Sequence, residues 1–139
     1  MKTIKIKTYK MNTAHNNNHF FILSKGYNAG KPLEKPCPNC FIITGDNEEH
    51  KQRLFWICYS LWKAGAYLPL LCGSVIPFVR INDASSQIEK AIQKVKEDPR
   101  AFELVVAKLQ QLIKTEVLLQ AQVKLVAKIK SALSRTLLE

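Results

Sequence analysis

The sequence lacks an uninterrupted apolar run of the length that a membrane span requires. A span needs about 20 apolar residues, whereas the two most apolar stretches, around residues 54–62 and 66–79, are broken by polar residues or by glycine and proline. The N-terminus alternates charged and apolar residues and has no continuous apolar leader. We therefore expect no membrane partner and a cytoplasmic location.

Acidic residues are scarce, with 11 Asp and Glu against 21 Lys and Arg and a formal net charge of +10. Residues 1–36 carry a net +6, residues 37–83 are neutral, and residues 84–139 carry a net +4. This asymmetry favours contact with a polyanion, most often nucleic acid, because neutralised phosphates release counterions. The alternatives are an acidic protein partner and a charged surface that only maintains solubility.

Recognisable catalytic arrangements are also lacking. No serine lies in a Gly-x-Ser-x-Gly turn. The segment from Gly26 to Pro32 approaches a phosphate-binding loop, but it has one residue too few between its glycines, and Pro32 stands where a magnesium-binding Ser or Thr is needed. We therefore predict that the protein is not an enzyme and has no cofactor.

Only four cysteines occur, and two of them form a Cys37-x-x-Cys40 pair. This spacing suits two thiolate ligands of one zinc ion, but a structural site needs four ligands and no second close pair is present. A redox pair would follow a strand and begin a helix, whereas this pair precedes a predicted strand. We predict a proline-rich turn without metal, and Cys37 and Cys40 are the only metal candidates.

Local patterns predict four strands and three helices. Period-two alternation and β-branched runs predict strands over residues 2–11, 20–23, 40–44 and 75–81. Helix-capping patterns at Asp46 with Glu49, at Ser86 with Glu89, and at Asp98 before Pro99 predict three helix starts. The first helix, residues 47–64, ends at Gly65 and is apolar nearly all round over residues 54–62, so we expect it to be buried.

The predicted fold class is α+β. A small, mostly antiparallel sheet packs on the buried helix and is followed by a long C-terminal helix or a helical hairpin. We expect residues 1–83 to form the α+β domain and residues 84–139 to form a hairpin or coiled-coil-like extension packed on it.

The long C-terminal helix carries an apolar seam that alternates four- and three-residue steps, with Glu116 and Lys130 at its two charged positions. Such a heptad ladder is typical of a coiled coil or a helical hairpin. A single helix packed on its own sheet is the alternative, but the sheet is short. We predict that a second chain can cover the seam, with these residues at the contact: Leu112, Leu119, Val123, Val126 and Leu133.

Three segments carry a first resemblance: Lys25-Gly-Tyr-Asn-Ala-Gly-Lys-Pro-Leu33, Pro36-Cys-Pro-Asn-Cys-Phe41 and Gly73-Ser-Val-Ile-Pro-Phe78. Together they resemble an uncharacterised bacterial family associated with gut bacteria and mobile elements. That family has no assigned activity, so the resemblance implies no function.

A second resemblance covers about 85 residues. An aromatic helix over residues 54–62, the Gly73–Pro77 turn, a short strand and the following helices have the same order as in target-recognition domains of type I restriction specificity subunits. In those subunits loops and strands contact DNA, and the long helices pair. The resemblance implies DNA contacts at Ser74 and Arg80 only, because the N-terminal part is too short for a full recognition domain.

We predict a small basic protein that binds DNA without catalysis. The alternative is a structural protein that self-associates through its C-terminal helix as a homo-oligomer. The basic N-terminal strand and the loop over residues 25–36 combine lysines with a tyrosine ring that can stack. The segment over residues 73–81 adds Ser74 and Arg80. The candidate contacts are Lys5, Lys7, Lys25, Tyr27, Asn28, Lys31, Lys35, Ser74 and Arg80.

Overall fold

A computed structural model describes residues 4–11 and 17–139 of the chain. Their fold is α+β, as predicted, with four strands, three α-helices and a short 3₁₀ turn. The strands are β1 (Lys5–Thr8), β2 (His19–Leu23), β3 (Pro32–Leu33) and β4 (Cys40–Thr44). The helices are α1 (Glu48–Lys63), α2 (Ile81–Glu97) and α3 (Pro99–Thr136), and the 3₁₀ turn is Leu68–Leu70.

The contacts divide the chain into two compact units, residues 1–97 and residues 98–139. The first contains the sheet, α1 and α2, and the second contains α3. In the sheet the strands run antiparallel in the order β1-β4-β2-β3. The centre of the sheet is therefore formed by β4 and β2, whose apolar residues are buried on both faces.

Pairing register separates the two faces of the sheet. Phe20 lies opposite Ile43, which also pairs with Ile6, so these three side chains share one face. This face meets α1, where the ring of Phe55 stands edge-on to Phe20 at 5.5 Å. The other face has its own small core of buried residues, namely Phe21, Cys40 and Ile42, with Tyr9, Leu33 and Cys37 packed against it.

Three strand predictions are confirmed by β1, β2 and β4, although residues 2 and 3 of the first lie outside the described residues. The two-residue strand β3 was missed. The strand predicted over residues 75–81 is wrong: this segment makes only isolated bridges, from Phe78 to Cys72 and to Lys25, and α2 already begins at Ile81. Pro77 has no N–H to donate, which limits a continuous ladder there.

Two predicted capping patterns are wrong, although the first helix begins within one residue of its predicted start. The N-cap of α1 is Asn47, whose side-chain oxygen accepts a hydrogen bond from the His50 N–H at 2.8 Å. Asp46 does not cap the helix, and its own N–H donates to His50 Nδ1 at 2.9 Å. The pair Ser86 and Glu89 lies inside α2 rather than at its start.

Every residue of the apolar stretch over 54–62 in the first helix is buried or half-buried, and full burial is confined to one side. Leu54, Ile57 and Cys58 are buried. The aromatic residues of α1 are half-buried and form a chain of edge-to-face ring contacts from Phe55 through Trp56 and Tyr59 to Trp62, with centroids 5.3–5.6 Å apart. The half-buried rings leave an aromatic ridge on α1.

The second helix packs against α1 and β1. Its buried residues, Ala84 and Ile88, lie one helical turn apart on a single stripe. Glu89 Oε1 accepts a hydrogen bond from the Ile4 N–H at 3.3 Å, next to the start of β1. This helix therefore belongs with the sheet.

The third helix, α3, is 38 residues long, about 57 Å. Its predicted start is confirmed, because the Asp98 side chain accepts a hydrogen bond from the Ala101 N–H at 3.1 Å and Pro99 occupies the first turn. None of its residues is buried. Across residues 4–11 and 17–139, no helix is long and apolar enough to cross a membrane.

A close backbone approach fixes the loop between β2 and β3. Gly30 has φ +93°, and a Cβ added there would overlap the ring of Tyr67, which is buried. Gly26, four residues earlier, has φ +87° but no heavy atom within 4 Å of such a Cβ. The two glycines share a backbone conformation and differ in their surroundings.

We expect Gly26→Ala to lower the free energy of unfolding by about 1–2 kcal/mol, the cost of a left-handed L-residue. Gly30→Ala adds an overpacking cost of about 1–3 kcal/mol against Tyr67. Urea unfolding of the two variants measures the difference. Equal losses in both would contradict the role of the Gly30–Tyr67 contact.

Candidate nucleic-acid interface

The loop from Ser24 to Lys31 is held at both ends by backbone hydrogen bonds. The Gly26 N–H donates to Pro77 O at 2.6 Å, which ties the loop to the segment before α2. The Gly30 N–H donates to Leu23 O at 2.7 Å, and the Ala29 N–H donates to Gly26 O at 3.1 Å. The loop is therefore a set of turns anchored on the sheet rather than a free segment.

Trp62, at the end of α1, lies beside three of the predicted residues, Tyr27, Asn28 and Lys31. The ammonium group of Lys31 lies 5.4 Å from the centroid of the Trp62 ring, and that of Lys63 lies 4.4 Å from it. Trp62 Nε1 donates to Asn28 Oδ1 at 3.4 Å. Tyr27 is 78% exposed. We call these five residues the Trp62 cluster.

A hollow of about 260 Å³ adjoins this cluster. Tyr27, Asn28, Trp62 and Lys63 line it together with Tyr67 and other residues of the 64–71 segment. Among residues 4–11 and 17–139, no carboxylate lies within ion-pairing distance of Lys31 or Lys63. Both positive charges are therefore available to an external anion, and each ring contact restricts where its ammonium group stands.

A second hollow, of about 340 Å³, brings together Lys25 and Arg80. Lys25 pairs with Phe78 in an isolated bridge, so the loop and the segment before α2 lie side by side here. Phe41 and Phe78 supply apolar walls. Two of the predicted contacts, distant in sequence, thus flank one depression.

The remaining candidates lie elsewhere. Lys5 and Lys7 are exposed on the edge strand β1, three strand spacings or about 14 Å across the sheet from β3. Lys5 Nζ makes an ion pair with Asp46 at 3.2 Å, which reduces the charge available there. Lys35 and Ser74 are exposed in separate turns. The structure therefore groups five of the nine candidates around two hollows and leaves four apart.

Trp62 and Lys63 were not among the residues predicted for the site. Trp62 was assigned to a buried helix, and 34 residues separate it from Asn28. The only local signal was an aromatic residue followed by a lysine just before the helix-ending Gly65. Their proximity to the loop depends on how α1 lies on the sheet, which no local pattern encodes.

The cysteine pair forms a local turn. Cys40 Sγ donates to the Cys37 carbonyl oxygen at 3.1 Å. Burial raises the pKa of the Cys40 thiol, which favours the protonated form over the thiolate that binds metals. Within the described residues, 4–11 and 17–139, no group of three or more His, Cys, Asp or Glu side chains could hold a metal ion.

The predicted self-association residues all lie on α3 and are exposed. Leu112, Leu119, Val123, Val126 and Leu133 each have more than half of their surface open to solvent. A row of large apolar side chains in water is costly, since each buried leucine or valine gains about 1.5–3 kcal/mol. This row is therefore the second candidate interface.

The four-stranded antiparallel sheet, the two helices packed on it and the 38-residue α3 define the class, an α+β protein. The chain belongs to a family of unknown function, DUF6943, whose model matches residues 6–136. The match includes residues of both compact units. No curated protein and no solved structure matches the chain.

The buried groups Cys58 and Tyr67 make stability depend on pH. Burial raises the pKa of the Cys58 thiol far above its ordinary value of 9.0. Burial, and secondarily the nearby Cys58, raises the pKa of the Tyr67 phenol. The folded protein keeps both groups protonated, whereas the unfolded chain ionises them near their ordinary values. Their stabilisation is therefore complete below pH about 9 and falls as pH rises.

We expect the free energy of unfolding to fall above pH about 9, with each such group contributing about 1.4 kcal/mol per pH unit. Urea unfolding between neutral and alkaline pH measures the slope. Cys58→Ala lowers stability at neutral pH through lost packing, but it removes one titrating group and flattens the slope above pH about 9. An unchanged slope in this variant would contradict the assignment to Cys58.

Proposed function

We propose that the protein binds nucleic acid without catalysis, through the Trp62 cluster. The observation that supports this is the placement of two lysine ammonium groups around one tryptophan ring, next to an exposed tyrosine. Lysines contact phosphates, and the counterions that these phosphates release make the affinity depend on salt concentration. An exposed aromatic ring can stack on the face of a base, and the bases of a single strand leave that face accessible.

The chemistry of the cluster divides between its members. Lys31 and Lys63 supply charge, with no competing carboxylate within ion-pairing distance among the described residues. Tyr27 supplies the stacking surface. Trp62 positions the two ammonium groups, and its N–H holds the Asn28 side chain. The net charge of +10 steers a polyanion towards the protein, whereas the cluster localises the contact.

Single-stranded DNA is the preferred ligand in this proposal, since duplex bases are stacked on one another. Lys25 and Arg80 line the second hollow and add two further positive charges. The test uses fluorescence anisotropy of a labelled single-stranded oligonucleotide across a salt series, with the matching duplex measured in parallel.

We expect Lys31→Gln and Lys63→Gln each to weaken binding several-fold and to reduce the slope of log affinity against log salt by about 0.7. Tyr27→Ala loses stacking worth about 1–3 kcal/mol. The matched control is Lys7→Gln, the same change at the opposite edge of the sheet. If Lys7→Gln weakens binding as much as Lys31→Gln, the contact is diffuse and the cluster is not the site.

A second candidate function is self-association through α3, which we propose on a separate observation. The five seam residues that were predicted for a contact between chains are exposed from Leu112 to Leu133. A structural protein that assembles through this helix buries them against a second apolar surface. Coiled-coil pairing is the usual way to cover such a heptad seam.

We expect Val126→Asp to abolish concentration-dependent association, because it places a carboxylate in the apolar seam. The matched control is Val117→Asp, which changes an equally exposed valine (60% against 56%) on another side of α3. Sedimentation equilibrium measures both. A monomeric wild-type protein at the highest soluble concentration, or equal effects of the two substitutions, would contradict assembly through the seam.

A further inference from the structure

The seam of α3 contains two charges at defined positions. It runs from Val105 to Leu137 in alternating steps of four and three residues, and eight of its ten positions are apolar. The exceptions are Glu116 and Lys130, which lie 14 residues apart. Both are exposed in the chain as described. Charges inside a heptad seam weaken a pairing in general, but they discriminate between alternative pairings.

The step pattern assigns each seam residue to one of the two heptad core positions. A step of three residues leads from position a to position d, and a step of four leads from d to the next a. Both charges then occupy a positions. The a positions are Leu109, Glu116, Val123, Lys130 and Leu137, and the d positions are Val105, Leu112, Leu119, Val126 and Leu133.

A parallel pair of these helices is electrostatically unfavourable. In parallel pairing each a residue faces its own counterpart, so Glu116 meets the second copy's Glu116. Lys130 likewise meets the second copy's Lys130. Two like-charge contacts at the centre of the interface disfavour this orientation.

An antiparallel pair removes both like-charge contacts. In this orientation each a residue faces a d residue, and one register pairs all ten seam positions. The layers are Val105 with Leu137, Leu109 with Leu133, Leu112 with Lys130, Glu116 with Val126, and Leu119 with Val123. Glu116 then lies one helical turn from the second copy's Lys130, where long side chains of opposite charge can meet.

The positions that flank the seam carry almost no charge that could set the orientation instead. In many coiled coils the e and g residues make the charge pairs between chains. Here the only charged residue among them is Lys108. The e positions are Val106, Ile113, Gln120, Ala127 and Ser134, and the g positions are Lys108, Thr115, Gln122, Ile129 and Thr136. Orientation therefore depends on Glu116 and Lys130.

We infer that α3 pairs with α3 of a second copy in antiparallel orientation, with Glu116 of each chain next to the second copy's Lys130. This inference rests on the proposed self-association through the seam and specifies its partner and geometry. The seam is self-complementary in this register, so no other protein is needed to cover it.

Charge reversal tests the orientation. We expect Glu116→Lys and Lys130→Glu each to weaken the association about tenfold or more, since each replaces opposite charges with like charges at both ends of the pair. The double variant E116K/K130E restores wild-type association. In a parallel pair each single variant exchanges one like-charge contact for another, so single variants that associate as tightly as wild type would overturn the inference.

A carbodiimide cross-link gives a direct readout of the same contact. It joins a carboxylate to an amine as an amide with loss of water, and requires the two groups to touch. Within one helix Glu116 and Lys130 are about 21 Å apart, so a linked Glu116–Lys130 peptide reports two chains. We expect this peptide from the wild-type protein and none from Val126→Asp.

The outcomes separate the orientation from the assembly itself. If the wild-type protein associates and Val126→Asp does not, yet no Glu116–Lys130 peptide forms, the antiparallel arrangement is wrong and seam assembly stands. If the wild-type protein is a monomer at every concentration, seam assembly is wrong and the orientation falls with it.

Discussion

The contact between the Tyr67 ring and the backbone of Gly30 is the constraint on which the candidate interface depends. The ring occupies the space that any Cβ at Gly30 would need, so the loop and the segment after α1 approach each other as closely as backbone and ring allow. The Tyr67 hydroxyl is buried, with no hydrogen-bond partner among the described residues, which costs roughly 1–3 kcal/mol that packing must offset. The Gly30 N–H also donates to Leu23 O, so Gly30 is held between the sheet and the Tyr67 ring. Lys31 follows Gly30 directly, and its ammonium group lies beside Trp62.

Much of the fold could be predicted because its signals are local. The period-two alternation at β1 and the Asp98-Pro99 pair each report a preference that a few neighbouring residues determine. The two-residue β3 could not be predicted, since only its pairing with Phe21 and Ile22 makes it a strand. At α1, Asp46 and Asn47 are both good N-caps. The backbone conformation at Asn47 decided between them, and the sequence pattern does not reveal it.

The site could be predicted only in part, for a related reason. Tyr27, Asn28 and Lys31 belong to one short loop, and their types alone indicated contact with an anion and a base. Trp62 and Lys63 join them through tertiary packing, because α1 lies across β2 and β3. At β1 the number of lysines overstates the available charge, because Asp46 pairs with Lys5 from a turn 41 residues away. A net charge therefore shows that a polyanion is attracted, but the positions of aromatic rings and carboxylates decide where it can bind.

The two proposed interfaces lie in different compact units of the chain, the Trp62 cluster in residues 1–97 and the seam in residues 98–139. In the first unit, the ammonium groups of Lys31 and Lys63 stand around the Trp62 ring, and no carboxylate of the described residues lies in ion-pairing range of them, which suits a charged ligand. In the second, apolar residues stand in water along α3, which suits a second helix. If both proposals hold, the assembly carries two copies of the Trp62 cluster, and a second contact on the same nucleic-acid strand is intramolecular. In such a pair, two weak contacts with one nucleic-acid strand would give a higher overall affinity than either contact alone, without any new interaction. In the proposed pair, the charges at Glu116 and Lys130 weaken the apolar seam but select its antiparallel orientation.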